Sequence, residues 1–274
     1  MTITAGIDVG STYTKVTLVN VRGDIIGKSL RQTGFKLREV SELAFNDCLT
    51  QSGLQRADVD YIIATGIGRH QVEIKDIHVT DITASARGTA ALFPGTRTAL
   101  DVGGQTMKAT RLDDAAKVMS FRLNDKCAAG TGAFIEKTAR YMGYTTQEIG
   151  PLLGTSKDPA SVSGVCAVFA ESEVINHLSM GVPPAEIMHG AIKSLVERSL
   201  QLMRRVKAEP EFTLIGGILR FRTMADAVCS EVDGVVNVPD EEIVQFVTAY
   251  GAAILGQRRI EKLREERMAS SSGV

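Results

Sequence analysis

The chain repeats itself. Residues 7–17 (IDVGSTYTKVT) align without a gap on residues 100–110 (LDVGGQTMKAT), with Asp, Val, Gly, Lys and Thr matching at an offset of 93 positions. In both copies an apolar strand ends in Asp and a glycine-containing tight turn follows. A second strand then starts near a Lys seven residues beyond the Asp. One α/β architecture built twice is the simplest chain organisation that this duplication allows.

Apolar alternation around the first copy predicts strands over 3–9, 13–20 and 25–31, a helix over 37–52 closed by Gly53, and a strand near 59–65. Thr80 or Asp81 caps a helix running to Leu92, and Pro94-Gly95 stops it. The second copy predicts strands over 97–103, 106–112 and 117–123. Helices follow near 133–142, 169–179, 184–207, 221–230 and 241–266, with a short strand at 212–215 running into Gly216-Gly217. The expected organisation is a first lobe over 1–95, a second over 96–268, and a small polar tail, 269–274, without order.

Charge narrows the partners: 31 basic and 32 acidic residues lie spread along the chain, so no footprint for nucleic acid or an anionic membrane is expected. No apolar run is long enough to span a bilayer, and the N-terminal residues do not read as a leader, which predicts a cytoplasmic protein. Four widely separated cysteines, at 48, 127, 166 and 229, read as thiols or metal ligands rather than as a disulfide framework.

Two Asp-x-Gly turns facing one another would supply what a nucleoside triphosphate needs, glycine-freed N–H groups for phosphate oxygens and carboxylates for a hydrated Mg²⁺. Asp8, Gly10, Ser11 and Thr12, with Lys15, make one such set. Asp101, Gly103, Gly104 and Gln105, with Lys108, make the other. Taken singly, either turn is an ordinary hairpin; the duplication is what favours a phosphate site. Cys127, in NDKCAAGTG, and Cys166, in VCAVFAESE, each precede a predicted helix, where free N–H groups stabilise a thiolate. From the residues alone the inert reading comes first: Cys166 lies in an apolar run and reads as core, and Cys127 as a lone redox-sensitive thiol. Cys48 and Cys229 read as packing residues, and the histidines at 70, 78, 177 and 189 show no zinc spacing with the cysteines.

The duplicated hairpins resemble the two phosphate motifs of the actin, Hsp70 and sugar-kinase superfamily, and Leu214-Ile215-Gly216-Gly217 resembles its adenosine motif. That resemblance implies a duplicated ribonuclease-H-like fold with two lobes around an ATP cleft. NDKCAAGTG and CAVFAESEVI are in turn similar to the paired motifs of the activator family of 2-hydroxyacyl-CoA dehydratases and benzoyl-CoA reductases, in order along nearly the whole chain. The resemblance implies that Cys127 and Cys166 ligate one 4Fe–4S cluster shared between two subunits. It further implies that ATP hydrolysis drives electrons from reduced ferredoxin to acyl-CoA-binding subunits. The sequence departs from the family pattern at Thr106, where Asp is usual, at Ala133, where Arg is usual, and in Gly-Gly-Ile-Leu-Arg-Phe, which lacks the usual small residues and Asn. These departures suit a subunit paired with a related but unequal ATPase chain, with a homodimeric dehydratase activator as the alternative. A small-molecule kinase and an actin-like scaffold ATPase share the fold, but the kinase needs a carboxylate base that the sequence does not single out, and the scaffold leaves both cysteine motifs without a use.

Overall fold

Each copy of the repeated segment forms the central hairpin of a five-stranded sheet, and the two sheets have the same strand order. The structure is a computed structural model and describes residues 2–124, 131–163, 167–220 and 222–271. It divides into two units, Met1–Pro94 with Phe246–Val274, and Gly95–Gln245.

In the first unit, β1 (Ile3–Val9), β2 (Tyr13–Asn20) and β3 (Ile25–Gln32) form an antiparallel meander. Helix α1 (Leu37–Ser52) carries the chain back to β4 (Tyr61–Gly66), which pairs parallel with β1, and the two-residue β5 (Ile77–His78) completes the order β3-β2-β1-β4-β5. Alternation sorts the faces of β1. Ile3, Ala5, Ile7 and Val9 pack with Ala44, Phe45, Cys48 and Leu49 of α1. The opposite face, with Thr4, Gly6 and Asp8, meets the last helix of the chain, α8 (Val247–Ser271), where Thr4 Oγ1 donates to the Ala253 carbonyl at 2.8 Å. A Cβ on Gly6 would run into the Ala249 carbonyl, so the glycine sets how closely the helix lies on the strand. Helix α2 (Asp81–Leu92), capped by Thr80, packs beside α8 through Ala84.

The second unit repeats the scheme with β6 (Thr98–Val102), β7 (Met107–Leu112), β8 (Val118–Asn124), β9 (Phe212–Ile215) and β10 (Val236–Asn237) in the order β10-β9-β6-β7-β8. Even the bulges correspond. The β2/β3 register shifts at Leu18/Val19 and the β7/β8 register at Arg111/Leu112, positions separated by the same 93 residues as the two motifs. The units differ in what joins the third strand to the fourth. One helix, α1, does so in the first; in the second it is α3 (Gly132–Tyr141), α4 (Ile149–Leu153), α5 (Ala167–Ser179) and α6 (Pro184–Arg205). Those helices cover the sheet with Phe134, Ile135, Ile149, Val174, Ile187 and Ile192, and α7 (Arg222–Cys229) adds Met224 and Val228 to the same core.

Sequence alone places the C-terminal helix in a second lobe. In the structure the chain crosses back after Gln245, and Tyr250, Ala252 and Ala253 of α8 are buried in clusters with Val19 and Ile63 of the first sheet. The reason is the uncovered β1 face of small and polar residues, which only a helix rich in Ala and Gly can approach. The helix also starts at Val247 rather than near 241 and runs on through Ser271, beyond the expected start of the tail. Short elements β5, β10 and α4 are additions to the sequence reading. No helix among the described residues is long and apolar enough to cross a membrane.

Candidate functional site

The seven-residue spacing from Asp to Lys acquires a meaning in the hairpin, because it makes the two residues direct cross-strand partners. Asp8 stands opposite Lys15, and Lys15 Nζ donates to Asp8 Oδ2 at 3.0 Å. Asp8 is 6% exposed, so the charge is held largely out of water and needs this partner. Gly10 closes the turn, its N–H donating to the Tyr13 carbonyl at 3.1 Å, and Ser11 and Thr12 form the half-buried tip. On the other side of Asp8 lies the end of β4. There Gly66 adopts φ +84°, and a Cβ would come within 2.5 Å of Asp8 Oδ1. One carboxylate oxygen is therefore fixed by a lysine and the other lies against a glycine.

The second unit builds the same constellation. Asp101 is the cross-strand partner of Lys108, whose Nζ donates to Oδ2 at 3.5 Å. Gly103 N–H closes the turn onto the Thr106 carbonyl at 2.8 Å, and Gln105 is exposed at its tip. Gly216, at the end of β9, adopts φ +104°, with a Cβ position 2.7 Å from Asp101 Oδ1. Gly216 thus does for Asp101 what Gly66 does for Asp8, while Gly217 has open space around it. Sequence reasoning picked Gly216-Gly217 and missed Gly66, although Ala64-Thr65-Gly66 ends an apolar strand in the same way as Leu214-Ile215-Gly216.

Helix α3 begins on the second turn. The first N–H groups of a helix have no partner within it. Here Gly132 N–H donates to the Gly103 carbonyl at 3.0 Å and Ala133 N–H to the Gly104 carbonyl at 2.7 Å. A Cβ on Gly132 would lie 2.7 Å from Ile218 Cγ1, so the helix start also abuts the segment after Gly216-Gly217. Helix α3 is tied in turn to α5 by Lys137 Nζ and Glu171 Oε2 at 2.7 Å. On α5, Glu173 accepts from Ser163 N–H, and His177 Nε2 lies 2.8 Å from the Ser161 carbonyl, fastening the preceding segment to the helix.

Cys127 and Cys166 lie outside the described residues; in sequence they precede α3 and α5. Of the other two thiols, Cys48 is buried where α1 packs on the sheet, and burial pushes its pKa up to about 12. Burial also raises Cys229. In both, burial favours the neutral thiol, as suits a packing residue. No group of three or more His, Cys, Asp and Glu residues among the described residues could hold a metal ion. His70 and His78 stack edge to face at 4.5 Å, and His189 Nδ1 lies 2.8 Å from Ser156 Oγ.

The chain is similar to one of the subunits of benzoyl-CoA reductase from Thauera aromatica, 35% identical over 275 residues that cover 96% of each protein. Its fold is similar to that of the activator of the 2-hydroxyisocaproyl-CoA dehydratase from Clostridium difficile with bound ADPNP, with a TM-score of 0.89 and 32% identity over 96% of this chain and 97% of that one. A ROK family glucokinase from Streptomyces griseus, 14% identical, shares the fold alone, with a TM-score of 0.59 over 93% of this chain and 99% of the other. The duplicated sheets are thus those of the actin, Hsp70 and sugar-kinase type. Residues 5–256 match the model of the BadF/BadG/BcrA/BcrD ATPase family, and the chain belongs to that family.

Proposed function

We propose that this chain is the ATP-hydrolysing, electron-activating subunit of a benzoyl-CoA reductase, with Asp8 and Asp101 as the acidic groups of its nucleotide site. The observation that carries the reading is the pair of hydrogen bonds from the start of α3 to the Gly103 and Gly104 carbonyls. They connect the turn expected to meet phosphate to a helix that follows the Cys127 motif. Glycine-rich turns offer N–H groups to phosphate oxygens, and the carboxylates, each held by its lysine, suit a hydrated Mg²⁺. Ser11, Thr12, Lys15 and Gln105 border the phosphates in this reading, and Gly216-Gly217 the adenosine.

Both cysteine motifs fall in the helical stretch that the second unit has and the first lacks, which is how a new site is added to a fold that serves others. Cys127 and Cys166 stand in the two motifs that resemble those of the activator family, and that resemblance supports a shared 4Fe–4S cluster, whose irons take cysteine thiolates. Two ligands per chain require a second subunit. When bound, the cluster supplies one-electron chemistry at low potential. This chain's own part is to hold the nucleotide, position α3 and α5, and relay the nucleotide state along the Lys137–Glu171 link. Ferredoxin is the electron donor, and the acyl-CoA lies on other subunits. The departures at Thr106 and Ala133 favour a heterodimer with a homologous ATPase chain.

Activation of a 2-hydroxyacyl-CoA dehydratase is supported equally by similarity, and in it the chain would pair with a second copy. Anaerobic isolation decides. The reductase reading expects co-purification with a homologous chain, about four irons per dimer, and ATP-dependent reduction of benzoyl-CoA by the whole complex. A homodimer that activates a dehydratase would replace it with the second reading. A colourless, iron-free protein that phosphorylates a small molecule would reject both.

A further inference from the structure

We propose that Thr65 is a positioning residue for ATP hydrolysis, whose hydroxyl holds a water beside Asp8. The inference rests on the nucleotide-site reading above. Thr65 is the parallel-ladder partner of Asp8, and Lys15 is the antiparallel partner. Lys15, Asp8 and Thr65 therefore form one row across β2, β1 and β4, with their side chains on one face of the sheet. Lys15 and Asp8 satisfy each other. Thr65 is fully buried, and its Oγ1 has no hydrogen-bond partner among the described residues. A buried polar atom in that condition calls for a partner from outside the chain.

The second unit supplies a control within the same molecule. Its equivalent row reads Lys108, Asp101 and Ile215, in the same register, and Ile215 is buried at 1% exposure. The sheet closes equally well with an apolar β-branched side chain in that place. The hydroxyl of Thr65 is thus not a packing requirement, and it occurs in one copy of the site only. Such asymmetry fits hydrolysis, which needs one attacking water and not two.

In the reaction, the water oxygen bonds to the γ-phosphorus, the bond to the β,γ-bridging oxygen breaks, and its electron pair leaves with ADP. The products are ADP, phosphate and a proton released to solvent. The step depends on holding the nucleophile in line with the breaking bond. Thr65 Oγ1 accepts a hydrogen bond from the water and takes no proton. Thr17 Oγ1 is a second buried hydroxyl without a partner among the described residues, but its row contains Gly6 and Lys28 and no carboxylate.

The test compares Thr65→Val, Thr65→Ser, Thr17→Val and Asp8→Asn in the assembled anaerobic complex, by steady-state ATP hydrolysis, affinity for a non-hydrolysable ATP analogue, and thermal midpoint. Thr65→Val should lower kcat at least tenfold, leave analogue affinity within twofold, and keep or raise the midpoint, since an unsatisfied hydroxyl is removed. Thr65→Ser should restore most of the turnover, and Thr17→Val should hydrolyse ATP at the wild-type rate. Wild-type kcat in Thr65→Val, a loss matched by a fallen midpoint, or an equal loss in Thr17→Val would overturn the role of Thr65. Asp8→Asn separates the two levels: if it is inactive while Thr65→Val is normal, only the Thr65 proposal fails. If Asp8→Asn itself turns over normally, the nucleotide-site reading fails with it.

Discussion

Gly66 and Gly216 carry constraints that no other residue type can meet, since each combines a positive φ with a carboxylate oxygen lying where a Cβ would be. Gly66→Ala or Gly216→Ala should each cost about 1–3 kcal/mol in chemical denaturation, as strained backbone typically does. Hydrolysis should fall as well, because the adjacent aspartate must shift. Asp101→Asn is expected to keep the fold and reduce ATP turnover by about 10²–10³-fold, the usual scale for losing one charge-stabilising group, without rescue by added nucleotide. Cys48 predicts a pH effect. Its neutral form is favoured in the folded state, so its contribution is fully present below the unfolded value of 9.0 and is lost as pH rises toward about 12. Between those values stability should decline with a slope of up to about 1.4 kcal/mol per pH unit from this group. Urea midpoints from pH 8 to 11 for wild type and Cys48→Ala would show it as a shallower slope in the variant.

Among the elements, the hairpins were readable because their information is local: the turn, the alternation and the Lys seven residues after the Asp all lie within a dozen positions. Helix α1 is equally plain, ending at the left-handed cap Gly53 where the sequence puts it. What escaped is built from distant or very short pieces. The equivalence of Gly66 and Gly216 appears only when β4 and β9 come to lie beside β1 and β6, pairings that the sequence does not spell out. Strands of two residues, β5 and β10, are too short for any periodicity, and α4 contains Pro151 within a five-residue span. The links that organise α3 and α5 are also side-chain matters. Lys137 and Glu171 are partly exposed, so Lys137→Glu should change stability by less than about 1 kcal/mol. In the assembled enzyme it should instead uncouple ATP consumption from electron transfer, and Lys137→Glu with Glu171→Lys should recouple them. Stopped-flow reduction measured against phosphate release would detect the difference, and unaltered coupling in Lys137→Glu would remove the relay from the mechanism.

At the scale of the molecule, the two units are unequal in how the chain makes them. The second is one continuous stretch, Gly95–Gln245, whereas the first needs residues from both ends. A chain terminated after Gln245 should therefore lose the first unit, which would show as rapid proteolysis within residues 2–94, while the 95–245 portion resists. The same discontinuity orders events on the ribosome. At about 5–20 residues per second, the first sheet waits roughly ten to thirty seconds after its own strands emerge before α8 has been synthesised. During that interval its β1 face has no cover, and the later-made unit can fold first. Maturation would then begin in the middle of the polypeptide, and Asp8 and Thr65 would enter a finished sheet only once α8 has emerged.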